Sequence, residues 1–583
     1  EWWIDNRQVP YGDFGGGISD DDDLTQQFPP LALMGDIPDK VRASLHALAD
    51  AVDRNGMITN GLGTIETDYL HSYEEGLNAR SQDMYLNWGD PKVVERLMQT
   101  AAAYPRITEL NKEGHTHIVS QLFSGTHVVR EGPWGWSHPY SYLILHPGIM
   151  LAEFNGNPAM KKLALALADS YIAHGKQAAD GSWRFPEFIN SGTDETSGTL
   201  KPNTRGINAA TQLFWTAYAW SGDKKYLLPL IGVIDPGLHG GLRFMNANLI
   251  GQLGKAESWG KDILAHMRKL RDAAAGETRG FSPARDDGAT PVNTGRYIAW
   301  LMSGDKKYLE DLYADEIQTG SQRMYMVTEG HWWSDRVELF SDLLQRSRLG
   351  GLALRRNQIY PGHLVSWRFG APTEAESVGI LIHDPLPTKF TVEAYNLSAK
   401  PIEAAMTGWM IAPGTWKMSG KGIETRTFTF ERSAGVNLSF APHKTTLVNF
   451  ELVTPGPSTA VRPDIGIGPD DVELEAGKLA VTVHSLGAMD TPAGTAMLMD
   501  AKGKTLASVA VPPLAAPLDL EPKTARVELP LKPGAARVRI ILDGGIPEIT
   551  QLNNEVRVAP ERVTKPVKPA KPVKRSQRQR KAL

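Results

Sequence analysis

Four aspartates stand in a row at Asp20-Asp21-Asp22-Asp23, directly behind Gly15-Gly16-Gly17-Ile18-Ser19. One carboxylate is enough to cap a helix start, so this run carries more acid than capping uses. Two carboxyl groups held about 5–10 Å apart can cleave a glycosidic bond, one as general acid and the other as base or nucleophile. Asp21 and Asp22, the central members, are therefore candidate catalytic residues. Other carboxylates keep similar company. Glu74-Glu75 follow Tyr69, His71 and Tyr73, while Glu329 and Asp335 flank His331-Trp332-Trp333. Glu75 and Glu329 join the candidate set, and Asp194-Glu195 form a further pair in a long polar stretch.

The same stretches hold the parts of a second chemistry. A polysaccharide lyase needs a base for the C5 proton of a uronate, an acid for the leaving oxygen and a group that neutralises the carboxylate. His138 and Tyr140 of Ser137-His138-Pro139-Tyr140, together with His331, are candidates for the proton transfers; Arg205, Arg296 and Arg336 are candidates for neutralising the uronate. Capping or packing is the alternative role for His138, and pairing with loop acids is the alternative for the arginines. Tyr73, Trp134, Trp136 and Trp332 offer ring faces on which a sugar can stack, so they are read as substrate-binding.

Metal and cofactor chemistry find little support in the spacing. His115-Thr116-His117 is a lone pair of possible ligands and reads as structural. The aspartate run lacks the alternating ligand pattern of a calcium loop. Phosphate loop, dinucleotide fingerprint and serine elbow are all missing. The expectation is no metal and no cofactor.

These residues need a scaffold, and an internal repeat supplies one. A junction recurs as Met34-Gly35-Asp36, Trp88-Gly89-Asp90, Asn155-Gly156-Asn157, Ser221-Gly222-Asp223 and Ser303-Gly304-Asp305. Glycine allows the left-handed turn that closes one helix, and the Asp or Asn behind it caps the next. Amphipathic segments follow the junctions, at Asp39–Ala51, Pro91–Ala103, Ala159–Ala173 and Lys224–Ile231; more apolar segments precede them, near 22–34, 77–88, 141–154, 207–220, 292–302 and 336–349. A buried helix alternating with an amphipathic one is the pattern of stacked helical hairpins. Six such hairpins predict a closed (α/α)6-type toroid over residues 1–350, with an open solenoid as the alternative. The acidic and aromatic stretches all precede the apolar helices, so they should gather at one end of the ring, with the Gly-Asp junctions at the other.

Beyond Gly351 the pattern changes to short alternating stretches with Pro, Gly and Asn between them, which predicts an antiparallel β-sandwich over 351–455. The linker Thr454-Pro455-Gly456-Pro457 leads to an Ig-like β unit at 460–558. The tail 559–583, with nine Lys or Arg from Arg562 onward and no Asp or Glu there, is expected to be disordered and could touch an acidic polymer or surface.

The 583 residues carry a net charge of -4, which argues against a nucleic-acid binder, and no run approaches the apolar length of a membrane span. The chain has no cysteine, which removes disulfides and thiol catalysis and fits a bacterial protein that is secreted, periplasmic or on the cell surface. It opens at Glu1-Trp2-Trp3 without Met or apolar leader and so reads as a processed form or a fragment.

A helical toroid followed by a β-sandwich resembles the toroid glycoside hydrolases and polysaccharide lyases over about residues 1–455. Gly15 to Asp23 and Glu329-Gly330-His331-Trp332-Trp333 carry the resemblance. It implies a glycoside hydrolase with paired carboxylates, acting on a uronic-acid-containing poly- or oligosaccharide. A lyase on the same scaffold is the alternative, and a non-catalytic glycan-binding surface protein is a third reading from a different class.

Overall fold

In every junction of the repeat the glycine adopts a positive φ, from 67° at Gly156 to 94° at Gly35, which a residue with a Cβ adopts only under strain. The following residue caps in four of the five. Asp90 accepts from the Val93 N–H and Asn157 from those of Ala159 and Met160. Asp223 and Asp305 accept from Lys225 and Lys307 at 2.9 and 3.0 Å. The computed structural model describes residues 1–177, 183–200, 205–233, 291–322 and 342–558, except 16, 352, 353, 355, 433 and 476, and adds 179, 261, 264, 265, 268, 334 and 337. Glu329, His331, Trp332, Arg336 and the tail 559–583 lie outside the described residues.

The helices flanking these junctions form hairpins. They are α1 (Trp2–Asn6), α2 (Ile18–Thr25), α3 (Phe28–Leu33), α4 (Pro38–Arg54), α5 (His71–Glu74), α6 (Leu77–Leu86) and α7 (Pro91–Ala103). Then come α8 (His146–Asn155), α9 (Pro158–Ala173), α10 (Arg205–Ser221), α11 (Lys224–Val233), α12 (Pro291–Ser303) and α13 (Lys307–Gln322). The apolar segment expected at 22–34 is split, because Pro29 and Pro30 lack the N–H groups that would continue α2 and their rings crowd the carbonyls behind them. The third apolar segment enters as a 3-10 turn, Pro139–Leu145, before α8. Helix α6 is buried almost all round, from Leu77 to Tyr85, and packs on α4, α7 and α8. Helix α7 buries only one face. No helix among the described residues is long and apolar enough to cross a membrane.

Strands take over after Gly350, so the chain mixes helices with antiparallel sheets. β1 (Val365–Phe369), β4 (Ile402–Gly408) and β7 (Gly435–Phe440) form one sheet in the order β1-β4-β7. β2 (Val378–Leu386), β3 (Lys389–Asn396), β5 (Gly414–Gly420), β6 (Ile423–Phe430) and β8 (Thr445–Pro455) form a second in the order β2-β3-β8-β5-β6. One apolar core runs from the helices into both sheets, whereas strands between Ile465 and Arg557 enclose a separate core around Val481, Leu498 and Ile540.

The C-terminal strands and the loops between them cover the junction end of the first three hairpins. A Cβ on Gly35 would stand 2.7 Å from the Phe369 ring, and the Asn553 amide donates to the Gly89 carbonyl at 2.9 Å. The Asn155 amide donates to the Leu486 carbonyl at 3.0 Å. With one end of α6 held there, its ten residues place Leu77 about 15 Å away along the axis. That opposite end is where the acidic and aromatic stretches enter the helices.

Candidate active site

Helix α2 begins behind Gly17, whose φ of 97° turns the chain into the helix. Its four aspartates then fan out, because successive residues of a helix point about 100° apart. Asp20 stays half-buried, while Asp21 and Asp22 are 0% exposed and Asp23 is 6% exposed. Asp21 is tied down: one carboxylate oxygen accepts from the Phe14 N–H at 2.7 Å and the other from the Ser334 hydroxyl at 2.5 Å. Asp22 has no hydrogen-bond partner on either oxygen. Burial, reinforced by the charges of Asp21 and Glu75, pushes its carboxyl well above the usual carboxylate range.

The next residues arrive from α5 and from the segment behind Gly351. Arg356 pairs with Asp23 and reaches Glu74 at 3.7 Å. The side-chain amide of Asn357 donates to Glu74 at 2.6 Å and to the Tyr140 hydroxyl at 3.1 Å. Asn357 holds a left-handed φ of 60°, a conformation that Asn tolerates better than most side chains. Two glutamines fix it there. Gln26 accepts from its backbone N–H at 2.6 Å, and Gln212 of α10 donates to its carbonyl at 3.0 Å. Asn357 thus binds together Gln26 at the end of α2 and side chains from α5, α10 and the 3-10 turn.

Aromatic groups form the adjoining wall. Tyr69 stacks on His138 with ring centres 4.5 Å apart and meets Tyr140 edge-on at 5.5 Å. Phe188 packs against His138 at a tilt of 50°, with ring centres 5.2 Å apart. Burial pulls the His138 pKa down to about 4, so the ring is neutral near pH 7. Its Nδ1 accepts the Tyr140 N–H at 3.1 Å, which leaves the proton on Nε2. His138 can therefore donate from Nε2 but cannot act there as a base. Beneath this wall, the Tyr73 hydroxyl and His146 Nδ1 are 2.6 Å apart, both side chains fully buried.

Several expectations change against this geometry. Asp21 and Asp22 have no exposed surface, so a catalytic contact with substrate is replaced by a supporting position beneath the site. Tyr73 is 0% exposed and cannot be a stacking face. Glu75 is half-buried beside them; burial raises its carboxyl, His71 opposes the rise, and Asp68 and Asp20 add to it. Trp134 is 45% exposed on a short 3-10 turn, and Trp136 is half-buried on a strand that pairs with Asn190. Arg205 opens α10, with its side chain outside the described set, and Arg296 is half-buried on α12. Asp194 pairs with His115 and His117 rather than with the acidic cluster. Arg356, Asn357 and His146 were not foreseen. Two surface grooves, of about 730 and 660 Å3, include none of these carboxylates: one runs along α7 from Lys92 to Arg106, and the other lies beside Trp88.

The cluster can hold a proton on the buried Asp22 carboxyl, present the half-buried Glu75 carboxyl, and orient a polar substrate through Arg356, with Asn357 bracing the groups behind it. No protein-family model and no curated protein matches this chain.

Proposed function

We propose that the chain cleaves glycosidic bonds in a poly- or oligosaccharide by hydrolysis, on an α/α toroid followed by a β-sandwich and an Ig-like unit. Contacts of the first helices with Ser334, Val337 and Asn357 favour a closed ring. The Gln27 amide donates to the Val337 carbonyl at 2.8 Å, and Ser334 and Asn357 bond to Asp21 and Gln26. The sandwich reading rests on the buried faces of the two sheets, where Leu438 and Phe440 share a core with Phe390 and Val448.

The observation that carries the reading is the meeting of carboxyl groups from two helix starts, one pair of which remains reachable. Glu75, whose carboxyl burial holds raised, is the general acid. Asp20, half-buried and close enough for its charge to act on Glu75, is the base or nucleophile. Asp22 sits beneath, its own carboxyl held protonated by burial, while Tyr69 and Trp136, both half-buried, line the sugar's path.

Charge bears on the substrate. Arg356 faces the carboxyl groups of Asp23 and Glu74, and the charge of Asp20 also reaches it. An acid surplus of this kind repels a uronate at the reacting position, as like charges at about 4 Å cost roughly 1 kcal/mol in water and several times that in a protein surface cleft. A sugar that is uncharged at the cleaved position therefore fits better, with uronates confined to flanking positions. The same surplus weighs against elimination, which needs a uronate carboxylate neutralised in the site.

Incubation of the full chain with neutral and uronate-containing polysaccharides tests this. The expected result is new reducing ends without ultraviolet absorbance. Absorbance from a 4,5-unsaturated uronate would give the lyase first place, and binding without any product would leave a surface-binding protein.

A further inference from the structure

A second cluster of chemistry-bearing side chains lies around the loop that carries Phe188. The hairpin of Thr108–Leu110 and Thr116–Ile118 brings His115 and His117, two residues apart, to one side. His174 sits at the end of α9. Asp194 turns the chain between the short strands Phe188–Asn190 and Thr196–Ser197 with a φ of 59°. One potential ligand atom from each of these residues lies within 4.8 Å of the other three.

The hydrogen bonds around the cluster do not account for it. His174 Nδ1 lies 2.7 Å from the Ser170 carbonyl, so that nitrogen carries a proton and Nε2 is the atom available to a metal. That nitrogen lies 3.5 Å from an Asp194 carboxylate oxygen, longer than a good hydrogen bond and within reach of a shared cation. His117 Nε2 approaches the same oxygen at 2.9 Å, and His115 Nδ1 approaches the other at 2.7 Å. The Nδ1 of His117 is buried without a hydrogen-bond partner. The Asn111 amide donates to Asp194 at 2.6 Å and to the Ser191 carbonyl at 3.2 Å, which holds the strained turn in place. Ser170 and Asn111 thus orient a histidine and a carboxylate from behind, as outer partners of metal ligands do.

We propose that His115, His117, His174 and Asp194 form a closed four-ligand site for a divalent transition metal, of which Zn2+ fits best. Three imidazoles and one carboxylate suit zinc and disfavour the oxygen-seeking calcium and magnesium ions. Zinc bonds of about 2.0–2.1 Å in a tetrahedron space the ligand atoms by about 3.4 Å, so the present set closes up by side-chain rotation. Four protein ligands leave no position for substrate, which makes the role structural. The metal staples the hairpin, the end of α9 and the Asp194 loop to one another. That loop continues from the strand whose Phe188 packs on His138, so the staple also fixes one wall of the candidate active site. The sequence reading of His115-Thr116-His117 as a lone pair is revised accordingly.

The test is metal binding by the full chain, independent of any enzymatic activity. After chelator dialysis, the wild-type protein is titrated with Co2+ and then with Zn2+, and bound metal is measured by mass spectrometry. The expected result is one ion per chain, with the intense visible bands of four-coordinate Co2+, displaced by one equivalent of Zn2+. His115→Ala, His174→Ala and Asp194→Asn should each weaken binding at least about 100-fold. His383→Gln, on a distant strand, should bind as wild type. A six-coordinate Co2+ spectrum, no retained metal, or unchanged affinity in all three ligand variants would overturn the assignment. Should a ligand variant fail to fold, the wild-type spectrum decides alone.

Discussion

Raising the pH should loosen the seam between the helices and the C-terminal strands, and His484 is the reason. Its Nδ1 lies 2.6 Å from Glu95 of α7 and its Nε2 3.0 Å from Asp471. Burial alone would lower the pKa of this imidazole. Hydrogen bonds to Asp471 and Glu95, with their charges, outweigh burial and push it up to about 9 from an ordinary value of 6.5. The folded chain therefore holds the proton more tightly than the unfolded one. That contribution is fully present below pH 6.5, falls as pH rises, and is gone above about 9. At about 1.4 kcal/mol per pKa unit, the span from 6.5 to about 9 is worth about 3 kcal/mol. His484 is only 7% exposed, so solvent screening takes little from that figure. A chain of several units need not unfold in one step, so the readout is local: hydrogen exchange in the strand Lys478–Ser485 and in α7, corrected for the intrinsic effect of pH on exchange. Between about pH 6 and pH 10, protection in the wild type should fall roughly 100-fold more than in His484→Gln. His46, also pushed up to about 9 by Asp83 against the opposing effect of burial, is present in both proteins and cancels. Equal loss of protection in wild type and variant would refute the reasoning.

Glu75→Gln should lower turnover on a cleavable polysaccharide by about 100-fold or more with little change in KM, as expected for a proton transfer; unchanged turnover would remove Glu75 as the acid. Asp22→Asn should gain stability relative to wild type as pH rises from about 4 to 7, since a buried carboxyl with a raised pKa costs progressively more once the unfolded chain ionises. Thermal melts at the two pH values measure this, and a constant difference would mean that Asp22 is ionised in the folded chain.

The junction end of the fold was legible because its cause is local. A positive φ at glycine and a cap at the next residue are properties of two adjacent positions, and both recur at Gly89-Asp90 and Gly156-Asn157. What covers that end was not legible. Asn553 reaches the Gly89 carbonyl, and Glu431 and Arg462 pair across the link between the β units; none of these partners has a sequence pattern to announce it. The break between α2 and α3 had a visible signal in Pro29-Pro30, but the apolar content of the segment hid it.

The site failed to be read in two instructive ways. Four adjacent aspartates invite the choice of the middle two, yet on a helix the middle has no special standing. Turning about 100° per residue, the run sends some members inward whatever the rest do. Helix α2 buries Asp21 and Asp22 and leaves Asp20 half-buried, so access depends on which face meets the neighbours. Choosing among them needs the packing partners, here Phe14 and Ser334, the second of which lies more than three hundred residues away. Arg356 and Asn357 were overlooked for the opposite reason: they occupy a short irregular stretch between helical and strand patterns, where periodicity says nothing. Asn357 could have been flagged only as a residue able to take the left-handed turn it does take. His115 and His117 show the same limit, since one pair of a four-member set was visible in sequence and Asp194 joined it only through a folded loop. In each case the residue type was readable and the partner was not, because a contact between distant residues leaves no periodic trace in a single chain. The groups most exposed to this error are buried acids, whose protonation is set by neighbours that only the fold brings near.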